Sequence, residues 1–325
     1  MGVPGGVRRG PAAAPGTGRG RPDRPGARYR FRVTSIDDEA DGPADGERVN
    51  RRPRSLIVSF FGTYARDVGG WIGVADLIAL MGGLDVDAPS VRSAVSRLKR
   101  RGLLASERIG GAAGYRLSEE GRRILAQGDR RIFGHRVAEI RDGWVLVVFS
   151  VPESERRRRH ALRAQLTRLG FGTTTAGVWI APAHMTDQAR GTLRDLGMDG
   201  YVELFHATHL DFSDLTEAVA TWWDLPALQS MYQEFLDEHE PVLGAWRRGR
   251  GADGPERRAT AFADHLRAVD AWRRMPYLDP GLPPELLPEQ WAGSRAARVF
   301  FDLHALLRGP GLEHVREATG PAGPR

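Results

Sequence analysis

The feature that most constrains this chain is a short arginine-rich segment at residues 88–101. Four apolar residues recur at i, i+3, i+4 and i+7, the spacing of a helical face that packs against a core. These residues are Val91, Ala94, Val95 and Leu98. Asp87 can cap this helix, Pro89 is tolerated in its first turn, and Gly102 can end it. The segment therefore predicts a helix with one buried face.

The opposite face of this predicted helix carries hydroxyl groups and cations and no carboxylate. Its members are Ser90, Arg92, Ser93, Ser96, Arg97, Arg100 and Arg101. A solvated helix face usually mixes both signs of charge. Small polar residues followed by cations suit a nucleic-acid groove instead. We expect this helix to recognise DNA, with an ordinary solvated face as the alternative.

Composition limits the other possibilities. The chain has 325 residues, with 47 Lys and Arg against 41 Asp and Glu, a formal charge of +6. Lys99 is the one lysine, and such an arginine bias is typical of a GC-rich genome, so net charge alone is a weak sign of a nucleic-acid partner. Cysteine is absent, which excludes disulfides and thiolate sites. Without a long apolar run or a secretory signal, we expect a cytoplasmic protein.

The chain divides by pattern into tails and three segments. Residues 1–50, rich in Gly, Pro and Arg, predict a disordered tail. Residues 51–135 predict helices at 54–67, 74–83 and 88–101, then a hairpin of strands at 103–109 and 115–117, then a helix at 118–133. Three helices followed by a hairpin is the order of a winged helix-turn-helix. Arg108 and Arg116 flank the hairpin turn and can reach phosphate groups.

The remaining segments predict an α+β protein. Residues 140–208 have the strand-helix-strand-strand-helix-strand order of a ferredoxin-like βαββαβ domain. Residues 209–310 predict an all-helical C-terminal domain, with helices at 211–223, 225–239, 256–275 and 295–307 and the start of another at 242–247 that a glycine-rich loop cuts short. Residues 311–325 predict a frayed tail.

Four stretches resemble the PaaX family, the repressors of phenylacetic acid catabolism. The most specific is Pro276-Tyr277-Leu278-Asp279-Pro280, followed by 282–283 and 287–291. The other stretches are 54–62, 91–104, and 144–153 with 169–172 and 177–180. The resemblance covers about residues 54–308.

The resemblance implies a homodimeric repressor of a catabolic operon, with a winged-helix domain that binds double-stranded operator DNA, and we expect no enzyme. It also implies a central domain similar to the small ferredoxin-like nucleases associated with CRISPR. The inducer that it implies is an aryl-acyl-CoA thioester such as phenylacetyl-CoA. On this interpretation the seven polar residues of 90–101 meet the DNA, and three further arginines hold its backbone. These are Arg54, Arg108 and Arg116.

The helical segment has surplus aromatic residues that can hold an acyl or aryl group. The candidates are Trp222, Trp223, Tyr232 and Trp272, each of which is equally explained as core. Arg273 and Arg274 are candidates for the phosphates of a CoA carrier, with a solvated helix end as the alternative.

Two other functions stay open. A metal-dependent nuclease of ferredoxin-like fold needs carboxylates to hold its metal, and the first central strand ends in Phe149-Ser150-Val151-Pro152 without an aspartate. We therefore expect no catalytic residues, no metal and no cofactor. The second alternative is a nucleic-acid-binding protein without an effector.

Overall fold

The computed structural model describes residues 2, 53–134, 136–210, 212–249 and 253–320. Over these residues the chain is α+β, as predicted, with ten α-helices and two antiparallel sheets. The described residues from 53 onward belong to one compact unit. The predicted tail at 1–50 lies outside the described residues, apart from Gly2.

The first segment consists of helices followed by a three-stranded sheet. Its elements are α1 (Pro53–Thr63), β1 (Trp71–Gly73), α2 (Val74–Gly82), α3 (Ala88–Arg100), β2 (Leu104–Ile109), β3 (Ala112–Leu117) and α4 (Glu119–Ile132). β2 and β3 form a hairpin, and β1 pairs with the other edge of β3. Gly110 and Gly111 make the hairpin turn with φ of +56° and +81°, which glycine adopts without steric cost.

The central segment has the predicted βαββαβ order. Its elements are β4 (Trp144–Phe149), α5 (Arg156–Arg168), β5 (Gly172–Thr175), β6 (Val178–Pro182), α6 (Thr186–Asp195) and β7 (Val202–Ala207). The antiparallel sheet has the order β5-β6-β4-β7. β4 alternates between two cores, because Val145 and Val147 pack with α5 and α6 while Trp144 packs against the helices that follow.

The described residues of the C-terminal segment contain helices and no strands. Its helices are α7 (Leu215–Trp222), α8 (Leu225–Arg247), α9 (Pro255–Trp272) and α10 (Gly293–Thr319). Two predicted helix ends are wrong. α8 continues through Pro241, because Leu243 and Trp246 extend its buried stripe. α10 continues past Leu307, because Val315 is fully buried, so residues 311–319 are helix rather than a frayed tail. Residues 321–325 lie outside the described residues.

The first and third segments share a hydrophobic core. Phe262 and Leu266 of α9 and Val315 of α10 lie in the same cluster as the buried residues of α1, α2 and α3. The Tyr64 hydroxyl and Nδ1 of His265 extend this contact with a hydrogen bond of 2.5 Å between them. The boundary predicted between these segments therefore does not separate two independent cores.

A buried polar cluster reinforces the same contact. The hydroxyls of Ser55 and Ser59 donate to one carboxylate oxygen of Asp270, at 2.6 and 2.8 Å. Arg273 pairs with that oxygen at 3.2 Å and donates to the Ser55 hydroxyl at 2.6 Å. α1 is thus tied to α9 by charged hydrogen bonds as well as by apolar packing.

Candidate nucleic-acid interface

α3 divides into the two faces that its sequence predicts. Its apolar stripe is buried, with exposed fractions of 1–3% for Val91, Ala94, Val95 and Leu98. The carboxylate of Asp87 accepts a hydrogen bond of 2.6 Å from the Ser90 backbone N–H, which caps the helix as predicted. Hydrogen bonds from Ser90 hold the pKa of Asp87 below its usual value, so the cap is ionised at neutral pH.

The other face of α3 is open to solvent. Of the polar residues on this face, Ser90 is half-buried. The others are exposed, namely Arg92, Ser93, Ser96, Arg97, Lys99, Arg100 and Arg101. Arg97 donates to the Ser93 hydroxyl one turn earlier at 3.0 Å. The fold therefore gathers all seven predicted residues of this helix, together with Lys99, on one element.

The hairpin lies next to the end of α3. Lys99 sits over the Tyr115 ring, 6.0 Å from its centre, which joins the last turn of the helix to β3. Arg108 is exposed and donates to the carbonyl of Gly111 at 2.7 Å, so its guanidinium lies at the hairpin turn. Arg116 forms an ion pair of 3.0 Å with Glu107 across the hairpin, which partly neutralises it.

Trp71 anchors the hairpin, a role that the sequence analysis missed. It pairs with Arg116 in the β1–β3 register, and its indole N–H donates to the Glu107 carbonyl at 3.3 Å. A side chain at Gly114 would collide with the Trp71 ring. Two sequence signals could have identified this contact. They are a tryptophan in a short isolated extended segment and a glycine within a strand.

Arg54 lies apart from these residues. It is in the first turn of α1, half-buried, and next to Ser55, which contacts Asp270 of α9. Arg54 therefore lies at the contact between the first and third segments. The structure gives no support to its predicted contact with the DNA backbone.

The four aromatic candidates for an effector pocket lie in two separate clusters of buried side chains. Trp222 and Trp223 surround Trp144 of the central sheet, and the Trp223 indole donates to the Gly170 carbonyl at 2.9 Å. Tyr232 donates to Asp279 at 2.9 Å. Trp272 is fully buried and stacks on Phe300, with ring centres 4.8 Å apart. Trp223, Tyr232 and Trp272 are buried and serve as core, and the effector contact of the four aromatics stays a prediction.

The two arginine candidates differ in their surroundings. Arg273 has a side chain only 13% exposed and is held by Asp270 and Ser55. Arg274 follows the end of α9 and is exposed, which agrees with the alternative of a solvated helix end. Their contact with the phosphates of a CoA carrier stays a prediction.

The described residues contain neither a cluster of metal-ligating side chains nor a membrane-spanning helix. No group of three or more His, Asp or Glu side chains in the described ranges is placed to hold a metal ion. Of the helices in these ranges, none combines the length and apolar character needed to cross a membrane.

Comparison with known families decides the identity. Three family models match successive parts of the chain. They are PaaX-like protein at 52–121, the PaaX protein central Cas2-like domain at 138–219, and the PaaX-like protein C-terminal domain at 223–317. The chain belongs to the PaaX family. The predicted resemblance is thereby confirmed, and the three matches follow the three segments.

Individual relatives agree with this PaaX assignment. The chain is 29% identical to Transcriptional repressor PaaX of Escherichia coli strain K12 over 269 residues, which cover 81% of this chain and 83% of the relative. It also resembles the solved structure of the uncharacterized protein Rv0674 from Mycobacterium tuberculosis. That match has a TM-score of 0.52 and 21% identity, and it covers 82% of this chain and 98% of the other. At this identity the second match supports the PaaX fold alone.

Proposed function

We propose that this protein is a transcriptional repressor that binds double-stranded DNA through residues 53–134, folded as a winged helix-turn-helix. The observation that carries the proposal is the exposed face of α3, which holds four cations and no carboxylate and is followed directly by a fifth cation, Arg101. The name of the E. coli relative, a transcriptional repressor, supports the same function. The central and helical segments then serve as further domains of the regulator.

In this proposal α3 lies in the major groove, which is wide enough for one α-helix. Arg92 and Arg97 are placed to donate to the base edges, as arginine does to guanine. Arg100 and Arg101, near the end of α3, contact phosphates. The hairpin serves as the wing, and Arg108 at its turn reaches the backbone or the minor groove.

Substitution of Arg97 tests this proposal. Arg97→Ala should weaken binding to the operator by about 1–3 kcal/mol, or roughly 5- to 150-fold, because a bidentate contact to guanine is lost. The measurement is a mobility-shift titration against DNA flanking the gene, after footprinting has located the operator. Arg157→Ala, which removes an exposed arginine of α5, is the matched control. If folded Arg97→Ala binds as tightly as the wild type, α3 does not read the operator.

We propose further that the repressor acts as a homodimer. One winged helix contacts few base pairs, and a dimer would read a near-palindrome with half-sites about 34 Å apart or a multiple of it. Leu210 and Phe212 follow the edge strand β7 with exposed fractions of 74% and 105%, which suits a surface covered by a second copy. Light scattering should give a dimer for the wild type and a monomer for Phe212→Asp. A wild-type monomer that still binds its operator tightly would refute the dimer.

A repressor also needs a signal for release. We propose a small-molecule effector of the aryl-acyl-CoA class, phenylacetyl-CoA being the first to test, because family resemblance points to it. Ligand and DNA should then weaken each other's binding by the same factor, typically 1–3 kcal/mol. Operator complexes titrated with phenylacetyl-CoA and with phenylacetate test this. No response to any thioester would favour a nucleic-acid binder without an effector, and cleavage of DNA with added Mg²⁺ would favour a nuclease.

A further inference from the structure

A cleft opens where α4, α6 and the proline-rich segment 276–280 meet. Its volume is about 560 Å³, within the range of small-molecule sites. Apolar side chains form part of its wall, namely Met185, Leu196, Pro276 and Pro280. All three segments of the chain contribute to it. None of its arginines was singled out in the sequence.

Arginines dominate the charge of this cleft. Arg123, Arg130, Arg131 and Arg136 line it, with amides from Gln127, Gln165 and Gln188. Arg130 and Arg136 are exposed, and over the described residues neither has a side-chain hydrogen bond or ion pair. Arg123 differs, because Glu120 holds it at 2.7 Å. Two cations of the cleft are therefore available to an added anion.

Each carboxylate of the cleft lies next to another partner. Asp187 pairs with Arg190 at 2.9 Å, and Asp195 lies 4.0 Å from Arg123. Asp279 accepts hydrogen bonds from the Tyr232 hydroxyl at 2.9 Å and from the Gly281 backbone N–H at 2.8 Å. None of these three groups neutralises Arg130 or Arg136, so the field inside the cleft favours anions.

Among the described residues, two buried nitrogen atoms in the lining have no hydrogen-bond partner. They are Nη1 of Arg131 and Nδ1 of His184. Burial lowers the pKa of Arg131 to about 10, which leaves it charged at neutral pH. A buried guanidinium N–H without a partner is costly, and an anion that binds to it recovers that cost. This orphaned donor is an independent sign that the cleft holds a ligand.

We propose that this cleft binds a small molecule bearing a diphosphate group and that this molecule is the effector, the latter part resting on the proposed function. Arg130, Arg131 and Arg136 supply the positive charge for two phosphates, since arginine forms strong paired hydrogen bonds with phosphate oxygens. The apolar wall and the free amides accommodate the remainder of the molecule. A CoA thioester and a free nucleotide share this diphosphate chemistry.

Arg131 also explains how such a ligand can act on DNA binding. It extends from α4, and its Nε donates to the Pro276 carbonyl at 2.6 Å and its Nη2 to the Leu169 carbonyl at 2.7 Å. The Tyr277 ring lies 4.8 Å from its guanidinium carbon. One side chain thus joins all three segments. A phosphate on Nη1 adds a fourth contact to this side chain and can thereby shift α4, which directly follows the hairpin proposed to bind DNA.

The same charges could serve instead as a second contact for the DNA backbone. Burial of Arg131 Nη1 and His184 Nδ1 argues against this, because a duplex cannot follow a donor into the interior. A cleft that is half apolar also suits a small molecule better than a phosphate chain. DNA contact is therefore an outcome that the experiment must separate.

The experiment is a calorimetric titration of the full chain with three probes, namely pyrophosphate, ADP and phenylacetyl-CoA. Arg130→Ala and Arg136→Ala should each weaken binding of the best probe by about tenfold or more, because each loses a charged hydrogen bond. Both residues are exposed, so both variants should melt like the wild type. Arg194→Ala, an exposed arginine of α6 outside the cleft, should bind as the wild type does.

The outcomes separate the cleft from the proposed function. The cleft proposal is wrong if no probe binds while operator DNA still does. It is also wrong if Arg194→Ala binds the probes as weakly as the cleft variants do. If Arg130→Ala and Arg136→Ala lose affinity for DNA but not for the probes, the cleft is a DNA contact and the proposal is also overturned. If the probes bind as expected but no DNA does, the diphosphate site stands and the repressor function fails. Tight binding of ADP alone identifies a nucleotide, and tight binding of the thioester alone identifies a CoA carrier.

Discussion

Acid should destabilise this protein through one buried histidine. His265 lies between Tyr64 and His304, with its Nε2 2.9 Å from Nδ1 of His304. Burial, together with His304 and Arg308, lowers the pKa of His265 to about 3. Burial and Arg308 also lower the pKa of His304. Asp67 pairs with Arg308 at 2.8 Å, which reduces the effect of Arg308 on the pKa of both histidines but does not remove it.

The sign and size of the effect follow from linkage. Between pH 6.5 and about 3 the unfolded chain binds a proton at His265 and the folded chain does not, so stability is complete above pH 6.5 and falls as the pH is lowered. From pH 7 to pH 5, one histidine with an unfolded pKa of about 6.5 costs about 2 kcal/mol of unfolding free energy. His304 adds to this loss in the same direction.

Urea denaturation at pH 7 and pH 5 measures this loss. His265→Gln should be less stable at pH 7, because Tyr64 and His304 lose their partner, but should lose about 2 kcal/mol less than the wild type between the two pH values. His160→Gln, which removes an exposed histidine of α5, should lose as much as the wild type. Equal losses for His265→Gln and the wild type would refute the reasoning.

Three further predictions concern stability and can use the same denaturation assay. Gly311→Ala should lower the free energy of unfolding by about 1–3 kcal/mol, because the added Cβ collides with the Tyr64 hydroxyl. Gly309→Ala, which lies in open space on the same helix, is the control and should not lower it. Leu98→Ala should cost about 2–5 kcal/mol by leaving a cavity under α3, and a loss below 1 kcal/mol would contradict this packing. Asp270→Asn should cost about 3–5 kcal/mol, because it leaves Arg273 charged and buried without its carboxylate; a stability equal to the wild type would show that the cluster adds nothing.

Periodicity was enough to predict most elements of this fold. The stripe of α3 and its cap at Asp87 are local features, and the structure has them where the sequence places them. The hairpin is also present, but its second strand begins at Ala112 rather than at residue 115. The helix ends predicted at residues 239 and 307 are wrong because packing extends both helices. Leu243 packs in the core of the helical segment, and Val315 packs in the core shared with the first segment.

Contacts between segments decided the rest of the candidate sites. The aromatics of the helical segment have no sequence signal that separates a core from a pocket, and packing placed Trp272 on Phe300 and Trp223 on the central sheet. The cleft could not be predicted, because Arg131 and His184 are 53 positions apart and meet only after the three segments assemble. By contrast, all the residues proposed to read DNA bases lie on one helix, so a single amphipathic pattern revealed them.

The shared core under α1 has a consequence for engineering new sensors. Repressors are often recombined by joining the DNA-reading portion of one to the ligand-responsive portion of another. Here such a cut would expose Phe60 and Tyr64 on one product and Phe262 and Val315 on the other, because these side chains fill one cluster. A chimera that keeps its solubility must therefore transplant both sides of that cluster together, or exchange only the outward residues of α3.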